Sequence, residues 1–276
     1  MRTQLFSQVI TAGVAAAVAA AVIAAPTVFS NFAAKPAKAA APTAICTFTW
    51  YLSNSRTSGT ATIPAFAYGN TPMVPLAGNW DGAGGDSPAA YSPDERKFFL
   101  TNSFTGGVGE TTIAFGNVGD RPITGDWNGD GTDEVGAYTP STGTFTKRAA
   151  DGSTTSVTFG TPYQLPLTGD WNGDGITDVG VYRASAATFD LRLPDGTTRS
   201  IHYGDPYWKP LIGDWNGDGR DEPGLFNPAN ATFYFRMSGI DPTETTESIR
   251  YGDTGDLPVV GDWDGNKTSS QGIVRY

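Results

Sequence analysis

Gly125-Asp126-Trp127-Asn128-Gly129-Asp130-Gly131 recurs unchanged at Gly169 to Gly175 and at Gly213 to Gly219. Eroded copies begin at Gly78 (Gly-Asn-Trp-Asp-Gly) and Gly261 (Gly-Asp-Trp-Asp-Gly). A proline stands three residues before each copy, at Pro75, Pro122, Pro166, Pro210 and Pro258, which spaces the copies by 47, 44, 44 and 48 residues. Upstream of each proline lies an aromatic-glycine pair: Tyr68-Gly69, Phe115-Gly116, Phe159-Gly160, Tyr203-Gly204 and Tyr251-Gly252. Markers that recur in register at this period describe a repeat architecture.

Between the markers each unit reads as four short strands. In the second full unit these are Pro122 to Trp127, Glu134 to Tyr138, Thr144 to Arg148 and Ser156 to Phe159. The Asp/Asn/Gly loop, then Thr139-Pro140-Ser141-Thr142-Gly143, then Ala150-Asp151-Gly152-Ser153 supply the turns between them. Four strands in about 40 to 50 residues make one propeller blade. The chain ends settle the number of blades. Gly272-Ile273-Val274-Arg275-Tyr276 aligns with a second strand, and Trp50-Tyr51-Leu52-Ser53-Asn54 aligns with a third. The expected fold is therefore an all-β, five-bladed β-propeller of four-stranded antiparallel blades over residues 47–276. Its last blade takes two strands from each end of the chain, and that closure removes the free edges an open stack would expose.

Composition agrees: 35 Gly, 19 Pro and 12% aromatic residues in 276 suit a turn-rich β protein. A single cysteine, Cys46, leaves no disulfide framework, and a single histidine, His202, leaves no histidine cluster for zinc. At the N-terminus an apolar run from Ile10 to Ala25 follows Arg2, and Ala37-Lys38-Ala39 precedes Ala40. Residues 1–39 read as a signal peptide or N-terminal membrane anchor and 40–46 as a short linker, which places the propeller outside the cell, secreted or at the cell surface. Loss of residues 1–39 removes Arg2, Lys35 and Lys38 and no acid, so the formal charge of -10 becomes -13. Such a chain has no basic stripe for phosphates and is not expected to bind nucleic acid.

The repeated loop carries the chemistry. Calcium takes six to eight hard oxygen ligands, and alternate residues of a tight loop aim their oxygens at one centre. The second unit offers Asp126, Asn128 and Asp130 by side chain, Thr132 by its carbonyl and Glu134 by carboxylate. The third offers Asp170, Asn172, Asp174, the Ile176 carbonyl and Asp178, and the fourth Asp214, Asn216, Asp218, the Arg220 carbonyl and Glu222. The outer copies break the rule. Ala83 and Ser87 replace two ligands in the first, and in the last Lys267 stands at the turn glycine and Ser270 at the final acid. About three structural calcium ions (Ca2+) are expected, one per intact loop.

These loops resemble the calcium loops of FG-GAP and VCBS repeats, the blade units of integrin α-chain propellers and of many secreted bacterial proteins. The resemblance spans residues 47–276 and rests on the Asp-Trp-Asn-Gly-Asp-Gly cores of the three central units. It implies a β-propeller with calcium on the hairpins between strands one and two of a blade. Five blades instead of seven, and a tryptophan after the first aspartate, set this chain apart from integrins, so integrin-type partner recognition does not carry over.

Residues that break the repeat mark a ligand face. Loops from strand four to the next strand one, and from strand two to three, emerge opposite the calcium hairpins. Tyr163, Tyr207, Trp208 and Lys209 fall there, with Arg183 and Asn227 beside them. Aromatic rings next to amide and charged groups suit an extracellular glycan or protein ligand. Acids outside the repeat, Asp94, Glu95, Asp190, Glu244 and Glu247, show no catalytic partner, and one histidine in a strand builds no triad. The sequence thus reads as a monomeric, non-enzymatic binding or adhesion module. A polysaccharide-acting glycosidase or lyase and a purely structural surface component are the alternatives.

Overall fold

The computed structural model describes residues 47–238 and 245–276. The expected signal or anchor, the linker with Cys46, and Glu244 lie outside the described residues. The chain enters on β1 (Thr47–Leu52) and β2 (Phe66–Asn70). Four complete blades follow. The first is β3 (Val74–Gly78), β4 (Ser87–Ser92), β5 (Lys97–Leu100) and β6 (Thr111–Ala114), and the second β7 (Arg121–Gly125), β8 (Glu134–Thr139), β9 (Thr144–Arg148) and β10 (Thr154–Thr158). The third is β11 (Leu165–Gly169), β12 (Asp178–Arg183), β13 (Thr188–Arg192) and β14 (Thr198–His202). The fourth is β15 (Lys209–Gly213), β16 (Glu222–Asn227), β17 (Thr232–Arg236) and β18 (Thr246–Arg250). Finally β19 (Leu257–Gly261) and β20 (Ser270–Arg275) join β1 and β2 in one sheet of order β19-β20-β1-β2.

All five sheets are four-stranded and antiparallel, and β1 pairs with β20 through Thr49↔Arg275, Trp50↔Val274, Tyr51↔Ile273 and Leu52↔Gly272. The ring closes as the sequence implies. Within the second blade several strand edges differ from the sequence reading by one or two residues. The first strand stops at Gly125 because Asp126 already belongs to the loop, and the fourth begins at Thr154, which pairs with Arg148.

Burial peaks at the second strand of each blade, since first strands such as β3 and β7 border the axial channel and are only partly buried. Second strands such as β4 and β8 are buried on both faces because a neighbouring blade covers each side, and apart from the acid that opens β8 they are built of small and apolar residues. Fourth strands such as β10, Thr-Thr-Ser-Val-Thr, are mostly exposed and polar, which suits an edge. Between them a cross-strand aromatic pair recurs: Tyr91–Phe98, Tyr138–Phe145, Tyr182–Phe189 and Phe226–Phe233, with ring centroids 4.6 to 4.8 Å apart. Each pair sits directly opposite in register and contributes about 1 kcal/mol beyond its buried area. The closing blade has Val274 opposite Trp50 instead, and Trp50 stacks on Phe66.

The loop tryptophans are packing elements. Trp171 and Trp215 are fully buried, and the indole N–H of Trp127 donates to Val135 O, that of Trp171 to Val179 O and that of Trp215 to Glu222 O, so each indole clips its own hairpin. The glycine that opens every repeat makes room for this ring and for the next blade together. A Cβ on Gly125 would lie 2.5 Å from Thr177 Cγ2 and 2.8 Å from the Trp127 ring. Gly125→Ala is expected to lower the unfolding free energy by about 3 kcal/mol in chemical denaturation, with backbone shift as the only relief.

Candidate functional site

In each intact loop the first aspartate organises the turn. Asp126 Oδ1 accepts from Gly129 N at 2.7 Å and its Oδ2 from Gly131 N at 2.7 Å; Asp170 accepts in the same way from Gly173 and Gly175, and Asp214 from Gly217 and Gly219. The third ligand position repeats as well: Asp130, Asp174 and Asp218 each accept, through Oδ1, from the backbone N–H two residues on. The asparagine between them donates its amide N–H into the space among the carboxylates. Asn128 Nδ2 reaches Asp130 at 3.0 Å and Glu134 at 3.2 Å, and Asn216 Nδ2 reaches Asp218 at 3.1 Å and Glu222 at 2.9 Å. Thr132, Ile176 and Arg220, expected to offer carbonyls, turn their side chains onto the loop of the preceding blade.

The donor set fits a hard cation. Asp214, Asp218 and Glu222 place carboxylate oxygens within 4.8 Å of one another. In the third loop the final acid is one methylene shorter, and Asp178 Oδ2 is buried with no hydrogen-bond partner. Burial pushes Glu222 up to about 8 and Asp178 up to about 6; the neighbouring loop carboxylates add to the rise, and Lys147 partly offsets it at Asp178. Glu134 is raised for the same first reason. Acids held this way bind protons in the absence of metal, and an oxygen-seeking divalent ion is their natural counter-charge. The exposed Asp130 and Asp174 are lowered instead, chiefly by the Asn128 and Asn172 amides.

The closing blade keeps the loop backbone without the final acid. Lys267 takes the left-handed conformation of the turn glycine (φ 68°) and still donates its N–H to Asp262 Oδ2. Ser270 Oγ, at the position of the final acid, donates instead to Ser53 O in the β1–β2 loop. From that same loop Arg56 reaches Ser269 O and pairs with Glu247, while Ser55 O accepts from Gln271 Nε2. The β1–β2 loop thus ties down the hairpin that lacks the final acid, a contact with no periodic signal in the sequence. In the first blade the side chains of Asn79 and Asp81 bond the N–H groups of their own loop and Gly131 O.

One residue sequence reasoning passed over sits just before each second strand. Asp86, Asp133, Thr177, Asp221 and Ser269 each donate their backbone N–H to the carbonyl of the first loop residue of the preceding blade, at 2.6 to 2.8 Å. The first four return an oxygen to that residue's N–H: Asp133 to Asn79, Thr177 to Asp126, Asp221 to Asp170 and Asp86 to Asp262, at 2.8 to 2.9 Å. These residues rim an axial channel of about 430 Å³. Burial raises all three aspartates, Asp221 to about 7, against the lowering effect of those same N–H bonds.

On the opposite face the expected ligand residues separate into two groups. Trp208 is half-buried and stacks on Tyr234, with centroids 4.7 Å apart. Lys209 lies over the Phe226 ring, Arg183 is clamped by both oxygens of Asp190, and Asn227 Oδ1 accepts from Ala229 N. Tyr163 and Tyr207 remain in solvent, each 73% exposed. Both have left-handed backbones, at φ 67° and 66°, a conformation that costs a non-glycine residue roughly 1–2 kcal/mol. Among the other acids outside the repeat, Glu95 pairs with Lys97 and Glu247 with Arg56.

No family model matches the chain, and no curated protein matches it. Among solved structures it is similar to virginiamycin B lyase from Staphylococcus aureus (10% identity over 78% of this chain and 71% of the other, TM-score 0.44). It is also similar to BBS1N, seen in complex with ARL6DN (8%, 76% and 71%, TM-score 0.40), and to a protein of unknown function from Bacteroides caccae (12%, 72% and 73%, TM-score 0.42).

The raised carboxyls give the metal-free protein a distinct pH response. Because Asp178, Asp221 and Glu222 hold protons to higher pH folded than unfolded, their stabilisation is complete below about pH 4 and is lost as pH rises through their folded values of about 6 to about 8. In chelator the melting temperature is expected to peak near about pH 4 to 5 and to fall towards pH 8. Asp221→Asn keeps an oxygen for Asp170 N–H, and differential scanning calorimetry across pH should find its alkaline fall shallower than that of the wild type.

Proposed function

We propose that this chain is a calcium-stabilised recognition module, secreted or surface-tethered, that binds a carbohydrate or protein ligand on the face opposite its metal loops. The observation that carries the reading is the division of labour between the two faces. Acidic loops crowd one end, and that of the fourth blade gathers Asp214, Asp218 and Glu222. Of the six large apolar side chains most exposed to solvent among the described residues, four, Val118, Tyr163, Tyr207 and Tyr276, stand at the other. The FG-GAP and VCBS resemblance supports calcium at the loops. When bound, the ion supplies positive charge that cancels repulsion among the loop carboxylates and ties each hairpin shut. Asp126, Asn128, Asp130, Glu134 and their counterparts hold it, and the first aspartate of each loop orients the turn that presents them.

No helix among the described residues is long and apolar enough to cross a membrane. We assign the channel-rim aspartates to ring assembly and not to catalysis, because Thr177 makes the same blade-to-blade bond without a carboxylate. On this reading the protein acts by binding, with no chemical step.

Asp174→Ala tests the calcium assignment. In millimolar calcium its melting temperature should drop by several degrees relative to wild type, and in chelator the two proteins should melt within about a degree of each other. An equal drop in both buffers would sink the assignment, since the loss would then come from the loop's own hydrogen bonds.

A further inference from the structure

Four of the loops that join one blade to the next share a single frame. They are the turns Asn117 to Asp120, Thr161 to Gln164, Asp205 to Trp208 and Asp253 to Asp256. In each, the N–H of the fourth residue points back to the carbonyl of the first. In three of them the fourth side chain accepts from the N–H of the first: Asp120 from Asn117, Gln164 from Thr161, Asp256 from Asp253. The third position is left-handed in all four. Two blades meet that demand with glycine, Gly119 and Gly255, and two meet it with Tyr163 and Tyr207.

Tyrosine is a poor choice for this backbone, and its ring gains no burial there. The conformation is secured from outside the turn. Tyr163 N–H donates to Pro140 O at 2.8 Å, and Tyr207 N–H donates to Ala184 O at 2.9 Å. Two rings are thus carried into solvent from hydrogen-bonded backbone at equivalent positions on successive blade junctions. A residue that is strained, exposed and replaceable by glycine in sister turns is explained by what it touches outside the chain.

The surroundings narrow the class of ligand. The loops around the two rings read Pro140-Ser141-Thr142-Gly143, Thr161-Pro162-Tyr163-Gln164, Ala184-Ser185-Ala186-Ala187, Asp205-Pro206-Tyr207-Trp208 and Pro228-Ala229-Asn230-Ala231, and Asp205 carries their only formal charge. The nearby Arg183 is neutralised by Asp190. A protein interface of ordinary size centres on a desolvated apolar patch, whereas these are single rings set among small hydroxyl and amide groups. Isolated tyrosines present a flat apolar face and a polar tip, which matches a sugar ring with its C–H face and hydroxyl rim. Two equivalent stations call for a ligand that repeats.

Building on the recognition reading above, we infer that Tyr163 and Tyr207 are paired subsites for an uncharged, linear polysaccharide, which stacks one sugar on each ring and crosses the third blade between them. Neither contact alone holds the chain, and the gain comes from engaging both at once.

Native gel electrophoresis in calcium tests this, with separate gels containing hydroxyethyl cellulose, xylan, galactomannan or soluble starch. At least one polymer should retard the wild type, while its free monosaccharide should fail to compete at equal sugar concentration. Tyr163→Gly and Tyr207→Gly copy the sister turns, so their melting temperatures should equal or exceed that of the wild type. Each should weaken retardation at least tenfold, and the double variant should migrate as in a polymer-free gel. Retardation that survives in the double variant would overturn the tyrosine subsites and leave a binding module that works elsewhere. Retention by an immobilised matrix protein such as gelatin, with no polymer retarding the chain, would overturn the glycan class alone. No retention on either set would overturn both this inference and the recognition reading.

Discussion

A belt of backbone hydrogen bonds, passed from blade to blade around the axis and answered at four of the five junctions by a side-chain oxygen, is the constraint on which the rest of this ring depends. At every junction the residue ahead of the second strand grips the first residue of the preceding loop, as Asp221 grips Asp170. Because the same loop residue also collects the turn N–H groups into its carboxylate, the belt and the candidate metal centres share one backbone. Interblade geometry and loop geometry are therefore set together. The opening glycine of the repeat belongs to the same device, since only its bare Cα lets the loop tryptophan and the next blade approach at once.

Much of this was legible in the sequence because repetition turns weak local signals into strong ones. Five prolines, five aromatic-glycine pairs and five tryptophans in register located the blades, and the alignment of Gly272 to Tyr276 with a second strand anticipated the pairing of Trp50 with Val274. What escaped was of two kinds. The belt residues were hidden because their chemistry varies among Asp, Thr and Ser while their backbone does the common work. The contact that ties down the hairpin of the closing blade was hidden because Ser53, Ser55 and Arg56 act from a loop outside the repeat, more than 200 residues away from the hairpin they hold.

The distal face shows the limit from the other side. Sequence placed Tyr163, Tyr207 and Trp208 together as residues that break the pattern, and only the fold separates them. Trp208 has exchanged the acceptor of its turn for a stacking contact with Tyr234, so its departure from the repeat is a packing solution. Tyr163 keeps every hydrogen bond of its turn and adds a ring that touches solvent. Departures from a repeat thus sort by whether the new side chain is consumed inside the protein.

The seam between β1 and β20 also sets an order of events. Thr49 finds its partner in Arg275, so during synthesis the β1–β2 hairpin lacks its neighbour strand until β20 has emerged. During that interval β1 offers a free edge along Phe48, Trp50 and Leu52, side chains that the finished ring buries. The closing blade is complete only once β19 and β20 are in place beside β1 and β2. The last strand to arrive acts as the latch that commits it.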